Sequence, residues 1–408
     1  MKVLTILLAF STALYAGVPH LPLDLTFEES QNFYQSIKNN KDNSFKDPAV
    51  ADAISGGEKM NSWLKLINEG RTAGNDIRLT SKGTQRGIPI DRPSKYGAKT
   101  IKAQLDKIKL QMPTVMKNII YGKSPIVATA LVSDEIFIKW ARLTSKSYQT
   151  AVRYTGLLKW RSQYEARAAR DVRGYYNLKA ISDLDIFLSN HRALNAEEAK
   201  SLRLNLKGLC INNFESDSRC ESELNKAYKK NDLVTYKKQF WNGAIRNWDR
   251  FFKIDDPRTD VKWSQKAPGV MEVTFKDPKN PEISNWLKDN VEDEFKWTDA
   301  GWALEMRYVS GGWGTAYLEF KKNVTPHVTG GNKIVMDANT DIQEYGVRWT
   351  IRHEYGHILR LPDCYHEFYD KNEKVFVNYQ LDTTDLMCSR AGKMNKRIFE
   401  ELKRVYLK

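Results

Sequence analysis

The residues best equipped for chemistry stand together as His353-Glu354-Tyr355-Gly356-His357. On a helix, residues four apart share a face. His353 and His357 can therefore offer neutral imidazole nitrogens to one metal ion, and zinc accepts such ligands at about 2.0–2.1 Å. Glu354, beside them, is placed to take a proton from water at the metal, and the ion brings the pKa of that water down to about 7. Water attack on a peptide bond needs this pairing of Lewis acid and general base. The expected cofactor is Zn2+, with His353 and His357 as ligands and Glu354 as the catalytic base. The alternative, two solvated histidines on an amphipathic helix, is opposed by the context: Thr340-Asp341-Ile342-Gln343 matches a capping box that opens a helix over about 341–359.

A catalytic zinc site takes a third protein ligand and keeps a fourth position open. The helix runs to Arg360-Leu361 and is broken by Pro362. Asp363 follows, six residues past His357, where a carboxylate can return over the metal. His366 is its rival, and Glu367 and Glu373 are weaker candidates.

The run HEYGHILRLPDCY, with Asp385-Leu386-Met387-Cys388-Ser389 downstream, resembles the metzincin zinc endopeptidases, which carry HExxHxxGxxH followed by a methionine-containing turn. An aspartate as the third ligand, within Leu-Pro-Asp-x-Tyr, is similar to the snapalysin branch. The resemblance implies His353, His357 and Asp363 as ligands, Glu354 as general base, and Met387 in a turn beneath the metal. It makes Tyr365 a candidate for stabilising the tetrahedral intermediate. It also implies an α+β, metzincin-like catalytic domain with a twisted sheet, an active-site helix, a Met-turn and a C-terminal helix. Only the C-terminal third of the chain takes part. One position departs: the family's glycine after the helix is Arg360 here, and a left-handed backbone costs a non-glycine residue roughly 1–2 kcal/mol. The helix end, and with it the placement of Asp363, stays open.

Two regions would position these residues. Residues 17–255 read as mainly helical. Ile101–Met112 has helical spacing and stops at Pro113, and Asn195 caps an amphipathic run with early acids. Lys226–Phe252 continues the helical texture, and the glycines and prolines between Gly70 and Gly97 mark a turn-rich connector. Residues 256–408 read as the zinc metallopeptidase domain. Gly269–Lys276 alternates as a strand, Pro281–Trp297 is helical, and Ala303–Val309, Thr315–Phe320 and Lys333–Met336 are strand-like. The active-site helix, an irregular segment and a last helix over about 394–406 follow. Gly314–Phe320 is the expected edge strand against which an extended peptide would pair.

With 408 residues, two domains are the natural expectation. Residues 1–16 have the basic start, short apolar run and small residues of a secretory signal peptide. No later stretch is apolar enough to span a membrane, so a secreted or periplasmic protein is expected. The four cysteines suit export, and the sequence-local pairs Cys210–Cys220 and Cys364–Cys388 are the simplest of three connectivities. The net charge of +14 is concentrated in Lys139–Lys179, where ten Lys or Arg face two acids and aromatics are interleaved. This stretch is either a surface for anionic polymers or headgroups, or a solvated helical face with aromatics packed behind it. The second reading is favoured, and no specific nucleic-acid motif accompanies the charge. The expected function is a secreted zinc endopeptidase acting on protein or peptide substrates. Its helical region is either an inhibitory pro-region or an accessory domain. The rivals are a basic surface-binding module with a structural zinc domain, and an amidase acting on cell-wall peptides.

Overall fold

The computed structural model describes residues 47–72, 75–79, 87–158, 161–264, 269–321, 326–337, 342, 345–389 and 391–407. The signal peptide and the Thr340–Asp341 and Gln343 positions of the capping box lie outside them. The chain is mixed α/β: a long helical region, then small twisted sheets with helices packed on them.

The helical region contains α1 (Pro48–Glu69), β1 (Ser94–Tyr96), α2 (Ala98–Gln111), α3 (Thr114–Ile120), α4 (Asp134–Leu158), α5 (Arg161–Arg167), α6 (Arg173–Lys179), α7 (Leu184–Ser189), α8 (Ala196–Ile211), α9 (Asp217–Lys230) and α10 (Leu233–Asp249). Local chemistry sets its boundaries. The Asn195 side chain accepts from the Glu197 and Glu198 amides while Glu198 reaches back, which makes a capping box. Pro113 ends α2 as expected. The texture over 226–252 resolves into two helices, because Asn231 turns left-handed at φ 54° and Asp232 caps the second of them. Within Lys139–Lys179 the aromatics Trp140, Tyr148, Tyr164 and Tyr175 are buried, so they pack inward behind the charged face.

The C-terminal region contains β2 (Val261–Trp263), β3 (Val270–Lys276), α11 (Pro281–Glu294), β4 (Lys296–Trp297), β5 (Trp302–Val309), β6 (Tyr317–Lys321), β7 (His327–Thr329), β8 (Lys333–Asp337), α12 (Tyr345–Ile358), β9 (Tyr365–Asp370), β10 (Val375–Gln380) and α13 (Lys396–Tyr406). β3 and β5 are parallel, and α11 supplies the crossover that such a pair requires. β6 pairs in parallel with β8 and β7 antiparallel to it. A bridge between Phe275 and Ala316, with the Lys276 amide donating to the Ala316 carbonyl at 2.8 Å, joins the two sheets. β6 stands at one edge of its three-stranded sheet, overlapping the expected Gly314–Phe320 segment, and β7 is the other edge, beside α12. Tyr355, Ile351 and Ile358 of α12 face a core built with Phe275, Phe295 and Ile334. The segment expected to be irregular is the hairpin β9–β10, and β1 of the helical region pairs with β10 to complete a three-stranded antiparallel sheet. The two regions therefore share a sheet.

Cys210 lies at disulfide distance from Cys220, and Cys364 from Cys388. Mass spectrometry of a non-reduced digest should recover these two links; Cys364 joined to Cys210 or Cys220 would contradict the arrangement.

Candidate metal centre

The helix α12 carries His353, Glu354 and His357 on consecutive turns. His353 and Glu354 are buried and His357 is half-buried. Tyr355, between them in sequence, anchors the other side of the helix, its ring stacking with Phe275 at 6.1 Å. The helix ends in a left-handed residue after all. Arg360 takes φ 65°, its amide donates to the His357 carbonyl at 3.0 Å, and the Leu361 amide donates to the Gly356 carbonyl at 3.0 Å. These are the two bonds of a Schellman cap, and they keep the sharp turn that a glycine usually provides. The Arg360 side chain lies over Gly331, where an added Cβ would come 2.0 Å from the guanidinium. A packing contact on the β7–β8 turn thus accompanies the strained backbone.

The turn aims Asp363 back at the helix. Its Oδ1 lies 3.2 Å from Nε2 of His353 and 3.2 Å from Nε2 of His357. The other ring nitrogens face carbonyls: His353 Nδ1 is 2.9 Å from the Leu386 oxygen and His357 Nδ1 is 2.9 Å from the Leu361 oxygen. A carbonyl can only accept, so each Nδ1 carries a hydrogen and Nε2 is the ring nitrogen turned toward the carboxylate. Two imidazole nitrogens and one carboxylate oxygen thus converge, and their ligand atoms lie within 4.8 Å of one another. Atoms bound tetrahedrally at about 2.0–2.1 Å stand roughly 3.3 Å apart. The donor set and its spacing fit zinc. The same convergence attracts a proton: although burial opposes it, the Asp363 carboxylate raises His357 to about 9.

The rival ligands point elsewhere. His366 is buried with Nε2 3.1 Å from the Arg167 carbonyl, and burial pushes it down to about 4. Glu367 is paired with Arg153, and Glu373 with Lys95 at 2.7 Å on the surface. Tyr365, two residues past Asp363, has a phenol held well above its usual range, first by burial and then by the Asp363 charge, with Arg153 opposing. It stays a protonated donor. A second cluster, Cys364, Asp385 and Cys388, is compact, but its sulfurs are joined to each other.

Sequence reasoning missed the support beneath this cluster. Asp385 is fully buried and accepts from the Met387 amide at 2.8 Å, from Asn395 at 2.8 Å and from Arg397 Nε at 2.9 Å. This carboxylate shapes the turn that presents the Leu386 carbonyl to His353. Glu294 works alongside, accepting from the Met394 amide at 2.7 Å and from Arg352, the residue before His353, at 2.8 Å. A lone Asp or Glu in sequence carries no signal of such a task. Met387 packs under the histidine helix: its side chain sits against Gly356, where a Cβ would meet the sulfur at 2.3 Å.

No protein-family model matches this chain, and neither a curated protein nor a solved structure does.

Gly356→Ala should cost about 1–3 kcal/mol in urea unfolding, the usual range for overpacking. Combining it with Met387→Ala should cost less than the sum of the two single changes, because the second makes room for the first. Strict additivity would show that Gly356 and Met387 do not press on each other.

Proposed function

We propose that this chain is an exported zinc endopeptidase of metzincin type, with His353, His357 and Asp363 as the metal ligands. The observation that carries the reading is the placement of Asp363 Oδ1 at 3.2 Å from both Nε2 atoms. A purely structural zinc site would close its fourth position with protein. Among the described residues the ligand cluster has three members, and the acid next to it in sequence is Glu354.

Bound zinc supplies a Lewis acid that polarises the scissile carbonyl and acidifies water at the site. Glu354 takes the proton from that water and returns it to the departing amine, a task worth roughly 10²–10⁴-fold in rate. The Tyr365 phenol, kept protonated by burial and by the Asp363 charge, donates a hydrogen bond to the oxygen that becomes negative. An extended substrate lies along β7, which among the described residues pairs on one side only, and adds a strand there.

The rival reading of Lys139–Lys179 as a surface for anionic polymers loses ground, since Trp140, Tyr148, Tyr164 and Tyr175 are packed inside and Arg153 is buried on Glu367. Among the described residues no helix is long and apolar enough to cross a membrane; the secreted or periplasmic reading rests on the signal-like composition of residues 1–16.

Glu354→Gln should retain about one zinc per chain while hydrolysis of casein falls by at least about 10²-fold; substantial remaining turnover would remove Glu354 from the role of base. Digestion of purified cell wall beside casein separates the amidase alternative.

Asp363→Ala should weaken zinc retention by more than the roughly 10–100-fold typical of losing a group that only orients a ligand. His366→Ala should leave retention nearly unchanged. The reverse order, read by chelator competition, would move the third ligand to His366.

A further inference from the structure

Side chains alternate along a strand, so Tyr365, Glu367 and Tyr369 share one face of β9. That face is covered by the helical region: Tyr96 of β1, Leu157 of α4 and Tyr164 form one apolar cluster with Tyr369 and Phe376. Arg153 of α4 enters beside this cluster, only 2% exposed. Its Nη2 lies 2.5 Å from Glu367 Oε2 and its Nε 3.0 Å from Glu367 Oε1. The Tyr96 hydroxyl donates to the same Oε1 at 2.5 Å, with Arg153 Nε 3.1 Å from the tyrosine oxygen. A planar guanidinium gripping both oxygens of a carboxylate fixes orientation as well as distance. Glu367 is four residues after Asp363. Between them, Cys364 is held by its amide to Met387 and its carbonyl to the Leu381 amide. The ligand turn therefore has two moorings, one at Cys364 and one at Glu367, and the second is supplied from the helical region.

We propose that Arg153 is a positioning residue for the metal centre. By holding Glu367 it sets the start of β9, and with it the Asp363 carboxylate, against His353 and His357. The helical region is then part of the metal site. This rests on the zinc reading above.

The test uses the full chain. Zinc dissociation constants are measured by competition with a chromophoric chelator for the unaltered protein, Arg153→Met, Arg153→Lys and Tyr96→Phe. Thermal unfolding is followed for each with and without zinc. Arg153→Met should raise Kd about tenfold, the lower end of what loss of a ligand-orienting partner costs. Arg153→Lys should recover only part of this, since one ammonium cannot make the two-pronged contact. Tyr96→Phe removes a single hydrogen bond to the carboxylate and should raise Kd about threefold. A pair that merely stabilised the fold would weaken the zinc-free and zinc-loaded protein alike, and a loss common to both cancels from the binding equilibrium. A lowered unfolding midpoint with unchanged Kd in Arg153→Met would overturn the proposal. If Arg153→Met does not fold, Tyr96→Phe decides by the same criterion. An unaltered protein that fails to bind zinc would fell the peptidase reading and this proposal together. Tight binding by the unaltered protein and by all three variants would strike only the role of Arg153.

Discussion

Two imidazole nitrogens and a carboxylate oxygen converge on one point, and the C-terminal region is built to hold them there. Each ring is pinned through its Nδ1 to a backbone carbonyl, His353 to Leu386 and His357 to Leu361. Those carbonyls belong to two separate turns, so the geometry of the His353–His357–Asp363 cluster inherits the geometry of both. The Leu386 turn is shaped by buried Asp385, which Asn395 and Arg397 satisfy from the start of α13. The last helix is thus connected to His353 through Asp385 and the turn that Asp385 shapes. A buried carboxylate with this many donors is satisfied; removing any one donor would leave charge desolvated at a cost of about 1–3 kcal/mol or more.

The sharing of one helix face by His353 and His357, with Glu354 beside them, was legible in the sequence because it rests on a local rule, whereas the helix end and the placement of Asp363 were left open there. Periodicity puts residues four apart on one face. Arg360 was harder. Its residue type argues against φ 65°, yet the chain adopts it. The compensation lies more than two dozen residues upstream, where Gly331 leaves room for the guanidinium. Propensity is a local preference of roughly 1–2 kcal/mol, and a Schellman cap together with a packed side chain can outweigh it.

The hairpin β9–β10 escaped notice for a related reason. Tyr365–Asp370 is buried along most of its length but places His366 and Glu367 inside with the aromatics. It shows neither the apolar run of a strand covered on both faces nor the alternation of one covered on a single face. Its polar residues are inside because partners distant in sequence accept them: Arg153 and Tyr96 for Glu367, the Arg167 carbonyl for His366. β7, the sheet edge beside α12, went unread because it is only three residues long, too short for alternation to register. In each case the missing information lay in which segments meet, which residue types alone do not encode.

The same contacts bear on whether the helical region could be a pro-region removed by cleavage near residue 255. Release would withdraw β1 from β10 and expose that strand's backbone along an apolar edge. It would also leave Glu367 without Arg153. Breaking a buried ion pair by taking away one partner typically costs about 3–5 kcal/mol, a large fraction of the roughly 5–15 kcal/mol that stabilises a folded domain. Val172 and Ile254 would leave the C-terminal core at the same time. A removable inhibitor covers a cleft and departs without dismantling the structure beneath it. These contacts lie in the interior of the C-terminal region, along the strand that begins two residues after Asp363. Latency through removal of the whole region would dismantle the mooring of the ligand turn, whereas an accessory domain that stays attached keeps it intact.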